Sequence, residues 1–225
     1  MELDAVSAAD LGCSGPSQIG RGELVIWLFQ PERRHGGLLL PWRTLLLVIF
    51  ALAAYLMLGA APEFWVFDRA AIAQGEIWRL FTGHWVHSDL EHAIWDIGAL
   101  GVLAGLFEKR LQWRLLLSLI IGILGVDIWL WWGDTILQFY CGLSGILNSL
   151  LALGLIKLWL EMRHPLIWLI GLGAVAKVTL EISSGEAILT QTAWASVPEV
   201  HAAGFLSGMV LAGVLGFCNR LVSVP

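Results

Sequence analysis

Six stretches of apolar sequence constrain this chain more than any other feature, because each approaches the roughly 20 residues a helix needs to cross a bilayer. They run over Trp42–Ala61, His92–Phe107, Leu111–Trp132, Gly142–Leu160, Pro165–Ile182 and Val200–Phe217. The breaks between them carry turn and charge signals: Ala61-Pro62-Glu63, Glu108-Lys109-Arg110, Gly133-Asp134, Arg163-His164-Pro165 and Ser183-Ser184-Gly185-Glu186. Segments of this kind predict an all-α fold, a polytopic membrane protein built as a six-helix bundle over residues 41–220. Residues 1–40 hold only a short apolar run, Leu24–Phe29, and no cleavable signal pattern, so a partly ordered cytoplasmic lead-in is expected there.

Composition agrees with that class. Hydrophobic residues make up 58% of the chain and charged ones 14%, against about 45–50% and about 25% in soluble domains. Thirteen tryptophans suit interfacial anchoring, since indole puts a polar N–H at the wet edge and a ring among the acyl chains. Trp129, Trp131 and Trp132 mark such an edge. The net charge of −5 is mild and gives no sign of a nucleic-acid partner; the expected partner is the lipid bilayer.

Orientation follows from lysine and arginine. With the N-terminus inside, Arg21, Arg33, Arg34, Arg43, Lys109, Arg110, Arg114, Lys157, Arg163 and Arg220 fall on the cytoplasmic side, while Arg69 and Arg79 fall outside and Lys177 lies within the fifth segment. Both termini are then cytoplasmic, and the membrane is the cell's inner one. Cys13 and Cys218 fall on one side and Cys141 on the other, so no disulfide framework is implied. Cys141, beside Gly142, reads more simply as a small apolar filler than as a nucleophile.

Ionisable and polar groups in such segments are costly and become functional candidates. Ser144 opens the fourth segment in Gly142-Leu143-Ser144-Gly145. There, unpaired backbone N–H groups and the helix dipole favour a developing negative charge. A serine hydroxyl is a weak nucleophile without a base in reach, and taken alone the motif also suits small-residue helix packing. His201 opens the sixth segment at the same expected depth, followed by Gly204, Gly208, Ala212 and Gly216 along one face. That stripe lets a helix approach the fourth segment closely, at Gly145 among others, and would bring His201 beside Ser144. The plainer alternative is a lone histidine at a helix end. His84, His87 and His92 invite a zinc reading, but their gaps of three and five, with Glu91 beside His92, fit no zinc helix. No metal and no cofactor are expected. His92 and Asp96, four apart, share a helix face near the outer end and could serve an oxyanion.

In order and spacing these pieces resemble the rhomboid intramembrane serine proteases: Trp78-Arg79, His87, His92, Glu108, Gly142-Leu143-Ser144-Gly145, and His201-Ala202-Ala203-Gly204 with Gly208. The resemblance covers Trp42 to Phe217. It implies a six-helix bundle with a water-filled cavity opening to the outer face. It makes Ser144 the nucleophile and His201 the general base of a dyad without an aspartate. It gives His92 and the Ser144 N–H to the oxyanion, with Gly142 and Leu143 alongside, and places Trp78-Arg79 in the loop after the first helix. Two positions depart from the family. Asp96 stands where asparagine is usual; an ionised carboxylate cannot donate to an oxyanion, so Asp96 is either protonated or orients His92 as an acceptor, and the second is favoured. Asn148 stands where a tyrosine often supports the histidine; it could hydrogen-bond His201 but not stack on it.

The short chain and the run Thr82-Gly83-His84-Trp85-Val86-His87 resemble the rhombosortase branch, which implies transmembrane protein substrates of one kind, exported proteins with a Gly-Gly C-terminal sorting tail. Two other classes stay open: an inactive rhomboid that binds transmembrane clients, and a small transporter with a proton path through Asp96, Asp127, Lys177 and Glu181, which lacks detectable inverted repeats. Lys177 and Glu181, four apart, read as a neutralising pair, and Asp127 should meet water or a polar partner.

Overall fold

Helices form over the apolar segments, and their ends fall where local chemistry supplies caps. The computed structural model describes residues 40–188 and 190–222, with side chains as far as Gly216. The expected lead-in over 1–40 lies outside the described residues apart from Leu40. Eight α-helices occur among the described residues: α1 Trp42–Leu58, α2 Arg69–Ala73, α3 Arg79–Thr82, α4 Leu90–Leu111, α5 Trp113–Ile128, α6 Ser144–Met162, α7 Pro165–Ser184 and α8 Pro198–Val222. The described residues from Leu40 to Val214 belong to one compact unit.

Five of these, α4 to α8, are long and apolar enough to cross a membrane, α5 being continued to Gly133 by a π-helical turn. α1 has 17 residues, about 25 Å at 1.5 Å per residue, at the short end of the roughly 17–25 residues a spanning helix uses. Five of the six expected segments thus form helices of spanning length, and α1 is a shorter apolar helix over the sixth. The described residues are mostly helical, as expected, with one short strand pair besides. β1 (Phe67–Asp68) pairs antiparallel with β2 (Phe139–Tyr140), Phe67 opposite Tyr140, joining the loop after α1 to the turn before α6.

One expected break is not a break. Glu108-Lys109-Arg110 forms the last turn of α4, and the chain turns only at Gln112, whose φ is +54°. Lys109 and Arg110 there face the negative end of the helix dipole, which favours helix over break. Glu108 is buried and caps another helix: its carboxylate accepts from the N–H groups of Arg43 (3.0 Å) and Thr44 (2.8 Å) and from the Thr44 hydroxyl (2.6 Å). The first turn of α1 has no side-chain cap of its own, so α4 satisfies its orphan donors.

Arg69 and Arg79, the two cations expected on the outer side, are spent on backbone. Arg69 donates to the carbonyls of Leu137 (2.9 Å), Trp131 (3.2 Å), Asp134 (2.6 Å) and Leu130. Those are carbonyls of the wide turn ending α5 and of the loop after it, left without regular helix partners. Arg79 is buried, bonds the carbonyls of Glu63 (2.5 Å) and Val66 (3.0 Å), and pairs with Glu76 at 2.7 Å. Arg79 thus folds the loop after α1 on itself.

α6 is the most enclosed of the five long helices, half of it buried, whereas α7 is mostly exposed. Ser149 on α6 donates to the Ser118 carbonyl of α5 at 2.9 Å. α8 in turn presses glycine against α6 backbone. A Cβ on Gly204 would fall onto the Gly145 carbonyl oxygen, and one on Gly208 onto that of Ser149. The far end of the small-residue stripe does not work this way, since Gly216 faces open space, as does the neighbouring Gly213.

Candidate active site

The turn before α6 is fixed by two hydrogen bonds and by a backbone conformation that the sequence makes possible. Gly142 donates its N–H to the Gly83 carbonyl at 3.0 Å, and the buried Tyr140 hydroxyl donates to the Gly142 carbonyl at 3.1 Å. Gly142 itself has φ +125°, a region that L side chains rarely adopt. A Cβ there would also stand 2.6 Å from His92 Nε2 and 3.2 Å from an Asp96 oxygen. Glycine is thus required both by the backbone and by the space. Burial first, then the nearby Asp96 charge, raise the Tyr140 phenol well above its ordinary value, so it stays a donor at any ordinary pH.

Ser144 is the first residue of α6, and His201 lies in the first turn of α8. The glycine seam between these helices brings them together: Ser144 Oγ and His201 Nε2 are 2.9 Å apart. A hydroxyl within hydrogen-bond reach of an imidazole nitrogen is the geometry an activated serine requires. Gly145, Gly204 and Gly208 all lie in this seam.

The other side of the serine is arranged around one oxygen. Asp96 Oδ2 accepts the N–H groups of Leu143 (2.7 Å) and Ser144 (3.1 Å), and lies 3.3 Å from His92 Nε2 and 3.4 Å from His87 Nε2. The carboxylate does face His92, yet it also takes the Ser144 N–H that the family pattern assigns to an oxyanion. His92 is held from behind, Nδ1 lying 3.1 Å from Ser88 Oγ. His87, quoted in the motif but given no role, is fully buried and completes this cluster.

Asn148 does not reach His201. Its Nδ2 donates to the Ser144 carbonyl one turn back, at 2.8 Å, because a short amide on a helix finds its own backbone first. The group that does approach His201 is one the sequence offers as half of a neutralising pair and, in the transporter alternative, as part of a proton path. Glu181 does pair with Lys177 at 2.6 Å, but its other oxygen lies 3.3 Å from His201 Nδ1. The carboxyl spacing to Lys177 was visible in the sequence; the approach of α7 to the start of α8 was not. Asp127 meets His84 Nε2 at 3.1 Å, away from the serine. Cys141 is buried, and burial together with the Asp96 and Asp89 charges pushes its thiol up to about 12. It is therefore protonated at neutral pH and no nucleophile.

A cavity of about 220 Å³ runs over these groups, lined by His92, Asp96, Ser144, Asn148, Glu181 and His201, and on its other wall by the segment between α7 and α8, including Trp194. That segment is tied to the start of α4. The Asp89 carboxylate accepts the Ala193 N–H at 2.7 Å, and Glu91 accepts that of Gln191 at 3.1 Å. Burial alone would raise Asp89, but the N–H groups of Ala193 and His92 and the Ser88 hydroxyl outweigh it and hold the carboxyl below its ordinary value. No curated protein matches the chain. Residues 74–218, well over half of the 225, match the rhomboid domain. That span includes every group just described, and the chain belongs to the rhomboid family.

Proposed function

We propose that this protein is an intramembrane serine endopeptidase in which Ser144 is the nucleophile and His201 the general base. The observation that carries the reading is the 2.9 Å approach of Ser144 Oγ to His201 Nε2 at the floor of a cavity. Ser144 Oγ attacks a peptide carbonyl while Nε2 takes its proton, and the imidazolium then returns the proton to the leaving amine. The carbonyl oxygen becomes an oxyanion beside the N–H groups of Leu143 and Ser144 and the His92 ring. Asp96 Oδ2 occupies those donors now, so it must be displaced or exchange places with the substrate oxygen.

The domain doing this is 41–220. The arginine and lysine bias places both termini in the cytoplasm of a cell whose inner membrane holds the protein, with the cavity opening outward. Substrates are transmembrane or C-terminally anchored proteins whose helix unwinds near the outer face. Among them, exported proteins with Gly-Gly sorting tails fit the likeness to the rhombosortase branch. One observation favours a second reading, an inactive rhomboid that grips transmembrane clients: a carboxylate filling the oxyanion donors opposes the charge that acyl transfer creates.

A fluorophosphonate probe separates the two. Purified protein in detergent should label, and Ser144→Ala should abolish labelling. His201→Ala should do the same while moving thermal stability by no more than about 1–2 kcal/mol. Labelling that survives Ser144→Ala would put the nucleophile elsewhere, and a wild type that never labels would favour the client-binding reading.

A further inference from the structure

We infer that Glu181 is a positioning residue for His201, making the machinery a Ser144–His201–Glu181 triad rather than a bare pair. The inference rests on the peptidase reading above and deepens it.

The two carboxylate oxygens of Glu181 do different things. Oε1 accepts Lys177 Nζ at 2.6 Å and the Ile188 N–H at 3.1 Å. Those two donors, one from the same helix and one from the chain returning after it, fix how the carboxylate is turned. Oε2 then points at the imidazole, 3.3 Å from Nδ1. A carboxylate held by a cation can only accept, so the hydrogen between Oε2 and Nδ1 must sit on the ring. Nε2 is left with its lone pair toward Ser144 Oγ at 2.9 Å. That is the tautomer a general base needs, chosen by the bond at the opposite nitrogen. Once the ring takes the serine proton, the same carboxylate faces a cation.

Burial supports the same conclusion. The Glu181 side chain is 1% exposed, whereas Lys177 is 38% exposed. An ion pair at i and i+4 needs no burial, and burying a carboxylate costs more than one half-wet lysine returns. The imidazole is the second partner that makes the buried position useful. The local chain arrangement delivers it: α7 ends at Gly185 in the left-handed conformation, the backbone turns back so that Ile188 reaches Glu181, and the following segment leads into α8 and His201. Base and support therefore sit on consecutive elements, and the nucleophile on a third.

The test uses the full chain in detergent and reads the second-order rate of Ser144 labelling by a small fluorophosphonate, alongside the melting temperature. Glu181→Gln should slow labelling about 100-fold, less than the roughly 10⁴-fold known for an unshared triad aspartate, because Lys177 shares this charge. Glu181→Asp should recover most of that loss. Lys177→Gln should cost less than about tenfold, since the Ile188 N–H still holds Oε1 and leaves Oε2 toward the ring. The nitrogen-15 spectrum of the wild-type imidazole gives a second readout that needs no Glu181 variant to fold. His201, assigned by its absence in His201→Ala, should show the hydrogen on Nδ1. Equal losses in Glu181→Gln and Lys177→Gln, tracking melting temperature, would reduce Glu181 to an ion-pair partner and overturn the inference. So would a neutral ring with its hydrogen on Nε2. Labelling that needs Ser144 and His201 but ignores Glu181→Gln sinks this inference alone. A wild type that does not label at all sinks the peptidase reading beneath it.

Discussion

The two sides of Ser144 are built on opposite principles. Toward α8, the serine is placed by backbone contact: Gly204 and Gly208 rest on the carbonyls of Gly145 and Ser149, and the imidazole arrives at 2.9 Å as a consequence. Toward α4, it is placed by charge: one Asp96 oxygen gathers two backbone N–H groups and two histidine rings. The first side has no slack, because carbonyl oxygens of a hydrogen-bonded helix cannot retreat. The second can change by moving or neutralising a single side chain. Nucleophile and base are thus preset, and the oxyanion side is the part that must respond to substrate.

The harshest way to break this comparison is Gly204→Val. A β-branched side chain would meet the Gly145 carbonyl, and overpacking against backbone exceeds the usual 1–3 kcal/mol. Serine labelling should vanish and stability fall by more than about 3 kcal/mol. Gly213→Val, on the same helix but facing open space, should melt within about 0.5 kcal/mol of the wild type. If the two variants melt alike, the seam does not hold Ser144 and His201 together.

The seam was also the most legible part of the molecule. Glycines at three- and four-residue spacing are a period that any helix reading exposes, and the apolar segments set the helices within a few residues. Gly142 and Ser144 could be placed because turn and helix start are local events. Glu181 could not be assigned to His201, because its meaning depends on how far the chain travels between Gly185 and Pro198 before turning back, and no short-range pattern encodes that. The same holds for Glu108, whose carboxylate serves the start of α1, 64 residues away. The spacing of Asp96 and His92 puts them on one helix face, but the hold of Asp96 on the Leu143 and Ser144 N–H groups depends on a tertiary approach of α4 to the turn before α6. Local sequence shows which residues are unusual; it does not show which of several distant donors each will find.

Asp96→Asn sharpens the comparison on its softer side. The amide keeps an acceptor for the Leu143 and Ser144 N–H groups and gains two donors. It removes the one fixed negative charge from the place where an oxyanion would form. If that side responds as argued, labelling should rise about tenfold, below the roughly 10²–10³ that a single oxyanion donor is worth. Melting should change little, since the amide can hold the same backbone contacts. A hundredfold fall would mean instead that Asp96 acts by orienting His92, and that the charge is needed where it stands.

The smallest effect is expected at Asn148, which lies between the two sides and lines the cavity. Its amide donates to the Ser144 carbonyl at 2.8 Å, an oxygen already within the hydrogen-bonding range of its own helix. Such back-bonding contributes little and competes with the regular helix bond. Asn148→Ala should therefore leave stability within about 0.5 kcal/mol and labelling within about threefold of the wild type, because the base is steadied from α7 rather than from α6. A tenfold or greater loss would show that the amide leaves Ser144 and moves to the His201 ring during reaction. In that event support for the imidazole would be divided between Asn148 and Glu181, and the rigid side of the site would share some of the mobility assigned above to Asp96.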